Sequence, residues 1–260
     1  MDVISYPLPL LALSFIVLAL SARLGVFLGN RSRLPEGAVR DDFGIIQGAT
    51  LTLLGLIIGF TFSMALNRYD QRKNLEEEEA NAIATEYARA GLLPPGDTAK
   101  VRPLLIAYLE QRIAFYEAGN FDDTSKIDAQ TAKLQGDLWS TVQAPAIAQP
   151  TAIVALAVAG MNDVLNSQGY TQAAWWNRIP IAAWGLMGMI AVFANGLVGF
   201  GARDSKRESK LLLILPLVVA IAFFLIADIE SPHGGAIRVY PQNLINLAGS
   251  LRAQDSAKRQ

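Results

Sequence analysis

From Gly44 to Leu66 the chain is almost wholly apolar. It then runs on, with no proline and no turn signal, through Asn67-Arg68-Tyr69-Asp70-Gln71-Arg72-Lys73-Asn74-Leu75-Glu76-Glu77-Glu78-Glu79 to about Arg89. Backbone polar groups in hydrocarbon must be satisfied within their own segment. Nothing written at the lipid boundary stops a helix there. The stretch therefore predicts one helix that begins in a membrane and ends in water, coupling an embedded part to a soluble one. That arrangement is common in pore-forming and sensor proteins and rare in enzymes that merely carry an anchor.

Three further runs are apolar enough to cross a bilayer, which takes roughly 20 helical residues. With the first they make four spans: Pro7 to Gly29, Gly44 to Leu66, Ile179 to Gly201 and Leu211 to Asp228. The first has no basic residue ahead of a run too long for a signal peptide, so it reads as a retained span. The last is the shortest and carries Pro216. These runs account for a hydrophobic content of 52% over 260 residues, more than a soluble domain of this size needs. A net charge of −1 gives no reason to expect nucleic acid. The absence of cysteine excludes disulfides, thiolate metal sites and thiol catalysis. A single histidine, His233, leaves no His-based metal site.

Orientation is read from the loops. Arg31, Arg33 and Arg40 follow the first span, and Arg203, Lys206, Arg207 and Lys210 follow the third. Counting short loops most places both in the cytoplasm, with the termini and the 67–178 segment outside. The basic cluster Arg68 to Lys73 argues the other way.

The 67–178 segment reads as an all-helical extramembrane domain inserted between spans two and three, and 229–260 as a tail. Val101 to Ala118 carries Leu104, Leu105, Tyr108, Leu109, Arg112 and Phe115 at helical spacing. The Leu93-to-Asp97 stretch reads as a turn with Asp97 as N-cap, and Gly119-Asn120 ends the helix that follows. Further helices are expected over Asp123 to Val142 and Thr151 to Gln168, with Pro145 and Pro150 bracketing a loop. Trp175 and Trp176, just ahead of the third span, read as an interfacial belt.

In the second span Gly48, Gly55 and Gly59 recur with Ala49 and Ser63, small residues that let helices approach closely in lipid. Thr52, Leu56 and Phe60 recur every fourth residue, and Met64 extends the row. Repeated around a symmetric ring, such a row forms a constriction that gates by dewetting. On spacing alone it reads more readily as a face packed on a neighbouring helix or on lipid. Past the membrane, Glu76 to Glu79 offers an ion vestibule through Glu76, Glu77 and Glu79, or a solvated face paired with Arg72 and Lys73. Asp228 and Glu230 sit at the end of the fourth span and read as interfacial. No catalytic constellation, cofactor loop or metal cluster is written anywhere, so an enzyme is not expected.

Gly59-Phe60, followed by Arg68-Tyr69-Asp70-Gln71-Arg72-Lys73-Asn74-Leu75 and a helix ending near Arg89, resembles the bestrophin family of chloride channels, in its bacterial bestrophin-like branch. Glu230-Ser231-Pro232-His233-Gly234, with Leu244 beyond, looks like the acidic-x-Pro-x-Gly stretch that follows the last membrane helix of that family. The resemblance is strong over 44–90 and weak over 228–245. It implies an ion channel of the inner membrane, passing small anions through a homopentamer with the second helix of each subunit around the axis. It places Thr52, Leu56 and Phe60 at the neck, where the family has three large apolar rings; here the first is polar. The family has an aromatic where this chain has Asp70. Animal members bind calcium near the tail, where Gly235 to Val239 offers no carboxylate, so calcium is not expected. The family keeps its termini and large domain in the cytosol, against the loop-charge reading. The alternative from another class is a membrane-anchored scaffold or signalling protein whose helical domain binds a partner.

Overall fold

The computed structural model describes residues 7–31, 38–118, 121–202, 210–231 and 235–258. They form eight helices and no strand among the described residues: α1 (Pro7–Arg31), α2 (Ala38–Arg89), α3 (Pro95–Glu117), α4 (Phe121–Ala148), α5 (Ala152–Trp176), α6 (Ile181–Gly201), α7 (Ile214–Glu230) and α8 (Gln242–Lys258). Four helices are long and apolar enough to cross a membrane. Two short 3₁₀ turns, Ala90–Leu92 and Leu211–Leu213, precede α3 and α7. The chain divides into two compact units, 1–68 with 178–237 and 69–177 with 238–260. The tail read as one piece is thus shared between both.

The first unit holds α1, the apolar part of α2, α6 and α7. Its tightest seam is α1 against α6. A Cβ on Gly25, Gly29 or Gly199 would overlap the backbone carbonyl of Gly196, Phe200 or Ala22 respectively. In lipid, where apolar side chains gain nothing by leaving solvent, such close backbone approach supplies the packing energy. Ser21 Oγ donates to the Val192 carbonyl across the same seam at 2.7 Å. Pro216 is the third residue of α7. Its missing N–H is one that a first turn leaves unbonded anyway, so it does not break the span.

The second unit packs α3, α4, α5, α8 and the polar part of α2 around Ile83, Leu105, Tyr108, Leu109, Leu138 and Met161, none more than 1% exposed. Several local expectations are corrected here. Asp97 lies inside the first turn of α3, where Pro94 is the N-cap and Pro95 opens the helix, and it pairs with Lys100 at 3.6 Å. Pro145 is inside α4, which runs on to Ala148, so the loop is only 149–151. Thr151 caps α5 by accepting from the Val154 N–H. Trp175 is a core residue rather than part of a belt. It is 4% exposed, with its ring 4.8 Å from Phe115 and 5.5 Å from Tyr116, while Trp176 is exposed. Gly119, Asn120 and His233 lie outside the described residues.

Candidate functional site

α2 is a single helix of 52 residues, about 78 Å long at the usual rise. Its two faces differ sharply. Leu54, Thr61 and Ala65 are buried. Thr52, Leu56, Gly59, Phe60, Ser63 and Met64 are exposed. At about 100° per residue, Thr52, Gly59 and Ser63 fall within about 20° of one line. Leu56 lies about 40° from Thr52, Phe60 about 80° and Met64 about 120°. The every-fourth-residue row is therefore a shallow spiral. Thr52 and Leu56 sit near the centre of the open face, Phe60 on its shoulder and Met64 at its edge.

Gly44, Gly48, Gly55 and Gly59 have nothing within 4 Å of where a Cβ would stand. Gly25, Gly29 and Gly199 are spent on close contact; those of α2, like Gly185 and Gly188 of α6, meet nothing within 4 Å in their own chain. Thr52 Oγ1 donates to the Gly48 carbonyl at 2.9 Å. This satisfies its hydroxyl proton locally and leaves both acceptor lone pairs of the oxygen uncommitted by that bond.

Beyond the apolar segment the open face becomes polar. Asn67, Asp70, Asn74, Glu77, Asn81 and Thr85 are exposed along it. The four glutamates separate by angle. Glu77 and Glu78 are exposed, whereas Glu76 and Glu79 are 1% and 0% exposed. Glu76 Oε1 accepts from the Leu244 backbone N–H at 3.0 Å, and its Oε2 from Asn243 Nδ2 at 2.7 Å. It thereby caps the first turn of α8, where Pro241 has no side-chain acceptor to offer. Glu79 is paired with Arg112, itself 0% exposed, and accepts from Tyr116 Oη and Thr171 Oγ1, each at 3.4 Å. Burial alone would lower the Arg112 pKa; the Glu79 charge, with help from Tyr108 and Tyr116, more than reverses this and raises it. Burial first, and then the Glu79 charge, raises the hydroxyl pKa of Tyr108 and Tyr116. The run is thus neither a uniform vestibule nor a uniform solvated face.

The two acids at the end of α7 are buried within the protein, each 3% exposed. Glu230 Oε2 accepts from the Ile179 N–H at 2.8 Å and from Arg68 Nη1 at 3.1 Å, tying α2 and the start of α6 to α7. Asp228 accepts from the N–H groups of Ala236 and Ile237, both at 2.8 Å, and so holds the turn that follows the last span. Sequence reasoning passed over these anchors because a lone acid gives no sign of which distant backbone it will bind. Among the described residues no three acids or histidines are grouped to hold a metal.

Comparison with known proteins bears on the whole arrangement. No curated protein matches the sequence. Among solved structures, a bacterial bestrophin homologue from Klebsiella pneumoniae, in a tyrosine-to-alanine variant, is similar to this chain with a TM-score of 0.65 at 12% identity, covering 91% of this chain and 98% of its own. A leucine-to-threonine variant of a bestrophin homologue from the same organism gives a TM-score of 0.63 at 13% identity over 92% and 99%. At such identity the likeness is one of fold. The sequence profile of the Bestrophin-like domain matches residues 14–244. This four-span, all-helical membrane protein belongs to the bestrophin-like family.

Proposed function

We propose that the protein is an ion channel of the inner membrane, a homo-oligomer in which the open face of α2 from each subunit surrounds the permeation path. The carrying observation is the row of glycines at 44, 48, 55 and 59 that face open space within their own chain. A lipid-facing surface gains nothing from bare backbone. A neighbouring copy does, because small residues let helices approach. In that arrangement Thr52 and Leu56 ring the neck, Phe60 and Met64 flank it, and the narrowest apolar ring gates by dewetting. Family resemblance supports five subunits and small anions such as chloride as the permeant species.

A second reading of selectivity follows from the polar half of α2. Its open face carries Asp70, Glu77 and Glu78 against Lys73. Acidic rings attract cations, so these residues favour a cation path. The test is flux from liposomes of the purified protein, with chloride and potassium gradients imposed separately and Phe60→Ala beside the wild type. Chloride-selective flux altered by the substitution supports the anion reading. Potassium-selective flux reduced by Asp70→Asn with Glu77→Gln supports the cation reading. Absence of flux from folded wild type in both gradients contradicts the channel and favours a scaffold whose helical unit binds a partner.

A further inference from the structure

Glu86 lies one turn before the end of α2, in the second unit, on the face turned toward α5. It is 0% exposed, and neither carboxyl oxygen has a hydrogen-bond partner. Its Oε2 occupies a notch made by Gly160 of α5; a Cβ there would overlap that oxygen and lie 2.7 Å from Arg89 Nη1. The charged groups around it come from three helices. Arg89 follows on α2, and Asp163 stands on α5 one turn beyond Gly160. These two face each other at 4.0 Å, Arg89 partly exposed and Asp163 exposed, across the mouth of the notch. Arg102 of α3 reaches the same end of α2 but is committed to Tyr87, lying 4.8 Å over its ring and donating to its carbonyl at 3.4 Å.

An ionised carboxylate here would have lost its water and gained no donor in exchange. The neutral acid carries a far smaller penalty. Burial outweighs the attraction of Arg89, Asp163 adds to the rise, and the group titrates at about 8 instead of 4.5. We propose that Glu86 is a proton-binding site that closes the α2–α5 seam while it is protonated, so that opening of the seam and loss of the proton occur together. The observations that carry this are the partnerless carboxyl, the glycine notch that admits it and the Arg89–Asp163 pair at its mouth. The inference is independent of what the membrane spans conduct.

The sign follows from linkage. Closed Glu86 holds its proton up to about pH 8, while in an opened, hydrated seam it loses it near pH 4.5. Between those values the closed form binds one proton more. Each unit rise in pH then favours opening by about tenfold, levelling above pH 8. The experiment is hydrogen exchange on the full chain in detergent from pH 5 to 9, reading protection factors for 84–89 and 157–164 against Glu86→Gln. Wild-type protection should fall relative to the Gln variant by up to about tenfold per pH unit to pH 8 and then run parallel. Gly160→Ala, whose Cβ displaces the carboxyl from its notch, should abolish the same slope. Wild-type and Gln-variant protection that stay parallel throughout would overturn the proposal. So would a Gly160→Ala protein that keeps the full slope.

Discussion

Replacing Glu79 with glutamine separates a structural role from an ion-lining one. The substitution leaves the Arg112 guanidinium in a core where it is 0% exposed, with its counter-charge gone and its Nε–H facing an amide. Breaking one side of a buried pair costs about 3–5 kcal/mol, because the remaining charge stays desolvated. The two 3.4 Å bonds from Tyr116 and Thr171 are long, and the amide oxygen can still accept them. Most of the loss is therefore the stranded cation. For a chain of this size each kcal/mol lowers Tm by about 2–4 °C, so Glu79→Gln should melt about 6–20 °C below wild type. Combining it with Arg112→Met, which removes the stranded charge and keeps an unbranched apolar stem, should recover most of the difference. The assay is thermal unfolding in detergent, followed by tryptophan fluorescence. A Glu79→Gln protein melting within a degree or two of wild type would refute the burial argument and return Glu79 to the vestibule, particularly if ion flux changed.

Three further outcomes follow from the geometry. Gly199→Ala sets a Cβ against the Ala22 backbone carbonyl, which no side-chain rotation can relieve; a loss of about 1–3 kcal/mol or more is expected, read as lower Tm and yield, whereas Gly55→Ala should leave the subunit fold intact and weaken only its assembly in native mass spectrometry. Glu76→Ala removes the cap of α8 and should cost about 0.5–2 kcal/mol, seen as faster proteolysis after 242 with the rest of the chain still protected.

The long helix was legible because its signals are local. Nothing between 44 and 89 interrupts it, and α2 ends at Arg89, where the sequence reading expected it to end. The family was legible for the same reason, in residues of that helix. What sequence reasoning missed depends on rotation and on distant partners. Four consecutive glutamates spread around a helix at about 100° each, so Glu76 and Glu79 turn inward while Glu77 and Glu78 turn out. No composition rule states which pair that will be. An i, i+4 row drifts by about 40° per step, which moves Met64 away from Thr52. Trp175 looked like a membrane marker because it adjoins a span; it is claimed instead by Phe115 and Tyr116, some sixty residues earlier. Asp228 binds two backbone N–H groups, and Glu230 binds one beside the Arg68 guanidinium; N–H groups are carried by every residue except proline, and no pattern advertises which will be used.

If α2 surrounds the permeation path as proposed, one of its faces lines water and the opposite face does not. The chain contains no cysteine, so single cysteines can be placed without first removing others. Cysteine at 52, 56 and 63, compared with 54, 61 and 65, would be treated with a charged, water-borne thiol reagent during flux from liposomes. Rapid modification that blocks flux is expected at 52, 56 and 63, and none at 54, 61 and 65. Equal reactivity on both faces, or modification confined to 54, 61 and 65, would contradict it.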